Sequence, residues 1–280
     1  MKTNRRLFLQ QLGLLSSSLY FGAGCQKSEE MDFALILYTV RDLMEKDFMG
    51  TLDAVAEIGY KAVEFAGFYD HSPQKIKEKL DALGIAAISV HEGFDKLEIN
   101  LQKVIDSNLS IGNKNIVCPS MPGKYRNDGV DGAKAFSEQL NRFGETVKNA
   151  GMQLHYHNHA YEFENIDGTT RMDVLLQKTD PQLVMIQFDV YWLRRGGKDP
   201  KAMISKYSDR CSLIHMKDMG DDEEMSDVPI GTGILDIGGI INASRKAGIK
   251  WCIVEQDNTK RPALEAIEIS YKNMSSFFRS

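Results

Sequence analysis

Four polar residues stand at or just beyond the ends of four successive apolar runs in the second half of the chain. They are Glu162, Asp189, His215 and Glu255, and the runs are 153–159, 183–192, 211–219 and 251–257. Three carboxylates and one histidine form a mixed oxygen and nitrogen ligand set. Such a set suits a hard or borderline divalent cation, such as Mn²⁺, Mg²⁺, Co²⁺ or Zn²⁺. The pattern therefore predicts a site for one divalent metal ion.

The chain from residue 33 onward alternates short apolar runs with helical patterns, and eight such pairs occur. The runs predict strands that are covered on both faces, at 33–40, 62–67, 86–94, 115–119, 153–159, 183–192, 211–219 and 251–257. Eight β-then-α units in about 250 residues predict an α/β fold, the (β/α)8 TIM barrel. A doubly wound open sheet is the alternative, but no Gly-x-Gly-x-x-Gly motif follows the first strand.

The barrel prediction gives the four polar residues a common location. In a (β/α)8 barrel the catalytic face lies at the carboxyl ends of the strands. The four residues follow strands five to eight in order, so they are expected to lie side by side on one rim. A single carboxylate at a strand end is more often a salt-bridge partner. Four such residues with compatible chemistry favour a shared metal ion.

Four tracts carry a resemblance to a known family. They are 156–163 (YHNHAYEF), 188–192 (FDVYW), 215–218 (HMKD) and 254–257 (VEQD). The chain resembles the sugar phosphate isomerase/epimerase family of xylose isomerase-like TIM barrels over residues 33–278. This resemblance implies that one divalent metal ion is bound by Glu162, Asp189, His215 and Glu255. For the first of these ligands, the neighbouring Glu164 and His159 are the alternatives.

The same resemblance covers several activities. Members of the family include keto-sugar epimerases, aldose–ketose isomerases, inosose dehydratases, enzymes that eliminate from 3-keto-glycosides, and an endonuclease branch. A metal ion bound to a substrate carbonyl acts as a Lewis acid when an adjacent C–H proton leaves. Glu162 and Glu255 are predicted to be the catalytic base and acid. Lys217 is predicted to bind a substrate oxygen or to stabilise developing negative charge; a salt bridge with Asp218 is the alternative.

The fifth run contains three histidines at alternate positions, which place them on one strand face. His155 lies deepest and is expected to be a core histidine. His157 lies nearer the rim and is predicted to bind substrate or to act as an acid or base. The further candidates for contact with a sugar close other strands or offer an aromatic face, and packing is the alternative for the aromatic ones. They are Tyr38, Glu64, His91, His159 and Trp192.

Together these features predict a metal-dependent enzyme that enolises a keto-sugar or a keto-glycoside. The histidine-rich fifth strand and the predicted export favour a lyase or (de)hydratase that acts on a small carbohydrate, a 3-keto-glycoside or a derived keto-glycal. A sugar epimerase or isomerase is the alternative, followed by a non-catalytic carbohydrate-binding barrel. The net charge of −5 offers no basic groove for nucleic acid, so no nucleic-acid partner is expected.

The first 25 residues predict an export signal. Lys2 and the pair Arg5–Arg6 precede an apolar stretch at 7–24, which resembles a twin-arginine signal. The tract before Cys25 resembles a lipoprotein cleavage site; plain cleavage nearby and an uncleaved anchor are the alternatives. The expected location is the periplasm, with membrane contact only through this signal or a lipid.

The remaining chain is expected to form one unit. Residues 26–32 are predicted to be a linker and residues 33–280 a single catalytic domain; whether it forms a homo-oligomer is left open. Three cysteines lie in predicted strands, where free thiols behave as small apolar side chains. We therefore expect no disulfide among Cys118, Cys211 and Cys252.

Overall fold

A computed structural model describes residues 31–279, so the predicted export signal and the cleavage site at Cys25 lie outside the described residues. In the described part, eight parallel strands close into a barrel. Numbered β1 to β8, they are Asp32–Ile36, Ala62–Phe65, Ala86–His91, Asn115–Cys118, Gln153–His157, Val184–Asp189, Leu213–Met216 and Trp251–Val254. Strand β8 closes the barrel on β1, with Trp251 opposite Asp32 and Val254 opposite Leu35. The (β/α)8 barrel prediction is confirmed.

Helices separate the strands and cover the outside of the barrel. Numbered α1 to α11, they are Arg41–Lys46, Phe48–Ile58, Pro73–Leu83, Phe94–Ser110, Gly123–Arg126, Gly129–Asn149, Arg171–Lys178, Val190–Arg195, Pro200–Lys206, Ile237–Ala247 and Ala263–Arg279. Single turns of 3-10 helix occur at Leu37–Val40, Tyr161–Phe163 and Ser208–Arg210. Helices α3 and α10 end at Gly84 and Gly248, whose φ angles of 64° and 74° lie in the left-handed region that glycine adopts without strain.

The strands are shorter at their carboxyl ends than the sequence patterns predict. The run at 33–40 leaves the sheet at Ile36, and the run at 153–159 leaves it at His157. The run at 183–192 ends its strand at Asp189, whose side chain accepts a hydrogen bond from the backbone N–H of Trp192. That bond caps α8, so a helix begins directly where the strand stops. The last apolar residues of these runs therefore build the loops above the barrel.

The interior of the barrel changes from apolar to polar along the strands. Its lower part is filled by small and aliphatic side chains, namely Ala34, Ile36, Ala62, Ile88, Leu213 and Ile253. Side chains two positions apart point to the same face of a strand. The residues two positions after Ala62, Leu213 and Ile253 are Glu64, His215 and Glu255, and all three are buried. The sequence therefore directs ionisable groups to the carboxyl end of the barrel interior.

A larger core lies between the strands and the helices, and Phe136 is at its centre. This α6 residue is fully buried, and its ring lies 5.5–5.6 Å from the rings of Phe94, Tyr125 and Tyr156. We expect Phe136→Ala to lower the free energy of unfolding by about 3–5 kcal/mol, because it removes buried ring surface and leaves a cavity. Urea unfolding measures this change. Ile99→Ala, at a side chain that is 74% exposed, is the control and should change stability by less than about 0.5 kcal/mol.

The cysteine prediction is also confirmed. Cys118, Cys211 and Cys252 are free and buried, and burial raises the pKa of the Cys118 and Cys211 thiols to about 12. These thiols therefore act as packing groups. Among residues 31–279, no helix combines the length and the apolar character that a membrane span requires.

Candidate metal centre

Four buried side chains converge at the carboxyl end of the barrel. His157, Asp189 and His215 come from β5, β6 and β7, and Glu255 directly follows β8. Each offers one nitrogen or oxygen atom, and these atoms all lie within 4.8 Å of one another. Ligand atoms that each lie about 2.0–2.2 Å from one ion must also lie within a few ångströms of one another. Three of the four predicted ligands are thus brought together, and His157 completes the group.

Asp189 presents one carboxylate oxygen to this group. Its Oδ1 accepts the backbone N–H of Trp192 at 2.9 Å, which fixes the side chain at the start of α8. Its Oδ2 is buried and accepts no hydrogen bond within the described chain. A buried oxygen without a donor is costly unless a cation satisfies it. Burial raises the pKa of this carboxyl to about 6, against the opposing effect of Lys217.

His215 lies between two glutamates. Its Nδ1 is 2.6 Å from Glu255 Oε2, and its Nε2 is 2.6 Å from Glu64 Oε1. Burial alone would lower the pKa of this imidazole, but Glu255 and Glu64 outweigh that effect and raise it to about 10. When Nδ1 faces a metal ion, Glu64 accepts the Nε2–H. This carboxylate–histidine–metal arrangement orients the ligand ring and increases its basicity.

Gln187 holds His157 and Glu64 in place. This fully buried β6 residue donates from Nε2 to Glu64 Oε2 at 2.8 Å. Its Oε1 lies 3.2 Å from His157 Nδ1 and 2.8 Å from His91 Nε2. Because Gln187 occupies Nδ1, the other ring nitrogen of His157 is the one available as a ligand. The His91 ring stacks on the His215 ring, with centroids 5.0 Å apart.

Lys217 is the buried cation of the centre. Its Nζ lies 2.6 Å from Asp257 Oδ2, 3.0 Å from Glu255 Oε2 and 3.4 Å from Asp189 Oδ2. The predicted alternative, a pair with Asp218, is wrong: Asp218 instead accepts backbone N–H groups of the loop at 219–235. Burial alone would lower the pKa of Lys217, but the carboxylates raise it well above the usual value.

The charges at this end of the barrel suit an added cation. Five carboxylates, from Glu64, Asp189, Asp227, Glu255 and Asp257, surround one lysine and one histidine. Buried charges are stable only when they are paired. Burial raises the pKa of Asp227 to about 8, against the opposing effect of Lys217. A divalent metal ion fits this group of residues because it would relieve the excess of negative charge.

The structure differs from the prediction for Glu162, which was expected to be a metal ligand and a catalytic base. Strand β5 ends at His157, and the chain then turns into the 3-10 helix that contains Glu162. Its Oε1 accepts from Tyr156 Oη at 2.5 Å, and its Oε2 accepts from the backbone N–H of His159 at 2.8 Å. The Tyr156 side chain faces the outer helices, since it alternates with His157 along the strand. Glu162 therefore lies on the outer side of β5 and does not belong to the metal group.

Glu162 gives a stability prediction that depends on pH. Burial raises the pKa of this carboxyl from 4.5 to about 7 in the folded protein. The folded state then holds its proton more tightly than the unfolded state, so stability falls as pH rises from about 4.5 to 7. Glu162→Gln keeps a neutral side chain throughout. We expect the variant to gain stability relative to wild type between pH 5 and 8, by on the order of 3 kcal/mol at most. Urea unfolding at both pH values measures this gain. If the difference in stability between the variant and wild type is the same at pH 5 and pH 8, the buried, protonated carboxyl is contradicted.

The predicted sugar contacts lie in two places. The His159 ring lies 5.4 Å from the Trp192 ring and 5.7 Å from the Tyr161 ring, and it adjoins His157 at 5.1 Å. Its Nδ1 and the Trp192 Nε1 are buried without a hydrogen-bond partner in the described structure. Both side chains therefore border the metal centre, and each has a polar atom that is available for a substrate. Tyr38 is 40% exposed beyond β1, and the Arg41 guanidinium lies 4.3 Å from its ring centroid.

Sequence reasoning did not foresee the positions of four residues at the centre. His157 was predicted to bind substrate or to act as an acid or base, and the structure places it in the group of candidate ligand atoms. Glu64 was predicted to contact a sugar, and its carboxylate lies 2.6 Å from His215 Nε2. Gln187 and Asp257 were not considered. The sequence did contain a signal for His157. It is the last residue of its strand, and such a residue is better placed for a site on the rim than Glu162, which lies five positions later. No comparable pattern marks Gln187, whose role depends on the pairing of β5 with β6.

Comparisons with known proteins agree with this architecture. Residues 52–274 match the family of the xylose isomerase-like TIM barrel. An inosose dehydratase of Lacticaseibacillus casei is 28% identical over 279 residues, which cover 84% of this chain and 93% of the relative. This relationship supports the prediction of an enzyme that acts on carbohydrate.

Two solved structures are similar in fold. A sugar phosphate isomerase/epimerase from Parabacteroides distasonis is 25% identical, with a TM-score of 0.74 over 91% of this chain and 97% of that one. The IolI protein, whose crystal structure contains a bound zinc atom, is 14% identical, with a TM-score of 0.69 over 89% and 98% of the two chains. At that identity the second likeness concerns the fold alone. From the family match, the closed barrel and the full-length relatives, the chain belongs to the xylose isomerase-like TIM barrel family.

Proposed function

We propose that this protein is a divalent-metal-dependent lyase or (de)hydratase that acts on a keto-sugar, with a 3-keto-glycoside or derived keto-glycal as substrate. The observation that carries the proposal is the buried group of His157, Asp189, His215 and Glu255 with Lys217 beside it. Relatives named inosose dehydratase support a reaction that begins beside a carbonyl and expels an oxygen.

In this proposal the substrate carbonyl lies at the group of His157, Asp189, His215 and Glu255. A bound divalent ion would supply Lewis acidity that polarises this carbonyl and makes the neighbouring C–H group acidic. Lys217 adds a fixed positive charge 3.0–3.4 Å from two of the ligand carboxylates. Its ammonium group donates to the carbonyl oxygen or to an adjacent hydroxyl as negative charge develops there. The apolar layer beneath the centre excludes water from below.

His159 is the side chain best placed to move the proton. Its ring lies at the edge of the centre between Tyr161 and Trp192, and its Nδ1 has no partner among the described residues. In our proposal, His159 takes the proton from the carbon beside the carbonyl. The C–H electron pair becomes the new C=C bond, and the C–O bond at the next carbon breaks with its pair on the leaving oxygen. His159 returns the proton to that oxygen, so no oxidant or reductant is needed.

The position of Glu162 bears on the choice of reaction. Inversion at a carbon requires proton carriers on both faces of the substrate. Of the two glutamates predicted to carry the proton, only Glu255 lies at the metal group, because Glu162 lies on the outer side of β5. This difference favours elimination, in which a single histidine can accept the proton and return it. An epimerase or isomerase remains the second candidate, favoured by the similarity to the Parabacteroides protein.

The reaction is tested by incubating the metal-loaded protein with a 3-keto-glycoside in D₂O. We expect release of the alcohol, detected by chromatography, and an unsaturated keto-sugar, detected by its ultraviolet absorbance. Deuterium incorporation with an intact glycoside would instead identify an epimerase or isomerase. His159→Asn keeps a polar amide close to the position of the imidazole Nδ1 but removes the base, and it should lower the turnover number by roughly 100-fold or more. If the protein catalyses neither deuterium exchange nor release of the alcohol with any keto-sugar, the proposed function is ruled out.

A further inference from the structure

A cavity lies beside the metal centre, on the side of β7 and β8. It has a volume of about 300 Å³ and is lined by Tyr191, Trp192, Arg195, Ser226, Asp257 and Asn258, among other residues. Two of these residues also border the centre. Trp192 lies 5.4 Å from the His159 ring, and Asp257 Oδ2 is 2.6 Å from Lys217 Nζ. Trp192 and Asp257 therefore line the cavity and also contact His159 and Lys217, the side chains that border the ligand group.

The wall of this cavity is held in place by hydrogen bonds. Tyr191 Oη donates to the carbonyl of Met225 at 2.7 Å, which ties α8 to the loop after β7. Arg195 Nη1 donates to Tyr191 Oη at 2.8 Å and to the carbonyl of Glu224 at 3.2 Å. These bonds fix the loop before any ligand arrives. A preformed wall reduces the entropy lost when a ligand binds.

The lining has the composition of a site for a hydroxylated ring. Trp192 offers an aromatic face and an indole N–H that has no partner in the described chain. The Arg195 guanidinium lies 5.7 Å from the ring centroids of both Tyr191 and Trp192. Ser226, Asn258 and Asp257 add hydroxyl, amide and carboxylate groups around the rim. Aromatic surface with a few fixed polar groups is the usual lining of a small-molecule site.

From this geometry we infer that the cavity is the leaving-group subsite and that it binds a second sugar ring, so that the substrate is a 3-keto-disaccharide. The inference rests on the proposed function, which places the substrate carbonyl at the metal group. In a 3-keto-glycoside the leaving oxygen is on C1, across C2 from the carbonyl carbon. A ring attached to that oxygen is then directed away from the metal group, toward Trp192 and Asp257. The C1–O bond breaks as C1=C2 forms, and the second sugar leaves as the free alcohol.

The test compares two substrates in the metal-loaded full chain, a 3-keto-disaccharide and methyl 3-keto-glucoside. For wild type we expect a higher kcat/KM with the disaccharide. Ser226→Trp narrows the cavity and should lower the ratio of the two kcat/KM values by about 10-fold or more. Arg195→Ala, a milder change at an exposed side chain, should lower the same ratio through KM. Ser110→Trp, at the exposed end of α4, is the matched control and should leave the ratio unchanged.

The outcomes separate this inference from the function on which it rests. If both substrates react and neither cavity variant changes the ratio, the subsite inference is overturned while the proposed function stands. A second outcome is that an aryl 3-keto-glucoside has a higher kcat/KM than the disaccharide and loses it in the same cavity variants. In that case the cavity binds a leaving group but not a sugar, which also overturns the inference. If wild type neither exchanges the C2 proton of methyl 3-keto-glucoside in D₂O nor releases methanol, the proposed function fails and the inference falls with it.

Discussion

Replacing His157 with alanine is expected to lower the affinity for a divalent metal ion by at least about 100-fold. Loss of a group that only orients a ligand already lowers metal affinity by about 10–100-fold, and a ligand itself should matter at least as much. The His157 ring lies in the group of four ligand atoms within 4.8 Å, and Gln187 directs its free nitrogen to that group. With three ligands left, one coordination position would be filled only by water. Enzymatic turnover should fall in parallel at limiting metal concentration.

The matched variant for this experiment is Glu162→Gln. Its amide can accept from the His159 N–H and donate to Tyr156 Oη, so it preserves the two contacts of the native side chain. We expect it to retain wild-type metal affinity. Titration calorimetry on protein stripped of metal measures both variants, and circular dichroism checks that each is folded. The reverse pattern, with metal lost in Glu162→Gln and kept in His157→Ala, would contradict the ligand set described above.

Lys217→Met is expected to give the second large effect, a loss of roughly 100- to 1,000-fold in kcat, which is typical when one donor to developing negative charge is removed. The variant keeps the length of the side chain but leaves Asp189, Glu255 and Asp257 without their shared cation. Removal of one partner from a buried ion pair also destabilises a protein by about 3–5 kcal/mol. We therefore expect lower stability, most clearly in protein stripped of metal.

Two measurements separate the catalytic role of Lys217 from its structural role. Metal added in excess should restore much of the lost stability, because a divalent ion neutralises the same carboxylates, but it should not restore kcat. Lys103→Met removes an exposed lysine of α4, and it serves as the control for loss of one positive charge. If Lys217→Met turned over substrate at the wild-type rate once it was loaded with metal, Lys217 would have only a structural role.

The fold followed from sequence because one physical pattern is repeated eight times. Parallel strands covered on both faces require nearly continuous apolar runs, and helices on the outer face require apolar residues at helical spacing. Both periods are visible in the printed sequence. The carboxyl ends of the strands were placed two to four residues too late at Val40, His159 and Trp192. Apolar residues in the loops above the barrel pack on the core and look like a continuation of the strand.

The site followed from sequence only in part, for a related reason. Asp189, His215 and Glu255 lie at or next to the ends of strands, so their positions on the rim depend only on strand direction. Glu162 lies in a 3-10 helix beyond β5, where the path of the four intervening residues decides on which side of the sheet the carboxylate ends. Glu64 and Gln187 gain their roles from the register of neighbouring strands, which a single sequence does not show. The charge balance around Lys217 likewise depends on side chains from several separate elements.

The identity of the metal ligands is the central claim, and anomalous diffraction tests it most directly. Crystals of the protein loaded with Zn²⁺ or Mn²⁺ should show one anomalous peak at the carboxyl end of the barrel, within bonding distance of two imidazoles and two carboxylates. We predict that these belong to His157, His215, Asp189 and Glu255, with the Glu162 carboxylate still bonded to Tyr156. A peak that is bound by Glu162 and not by His157, or no peak among these residues, would contradict the account.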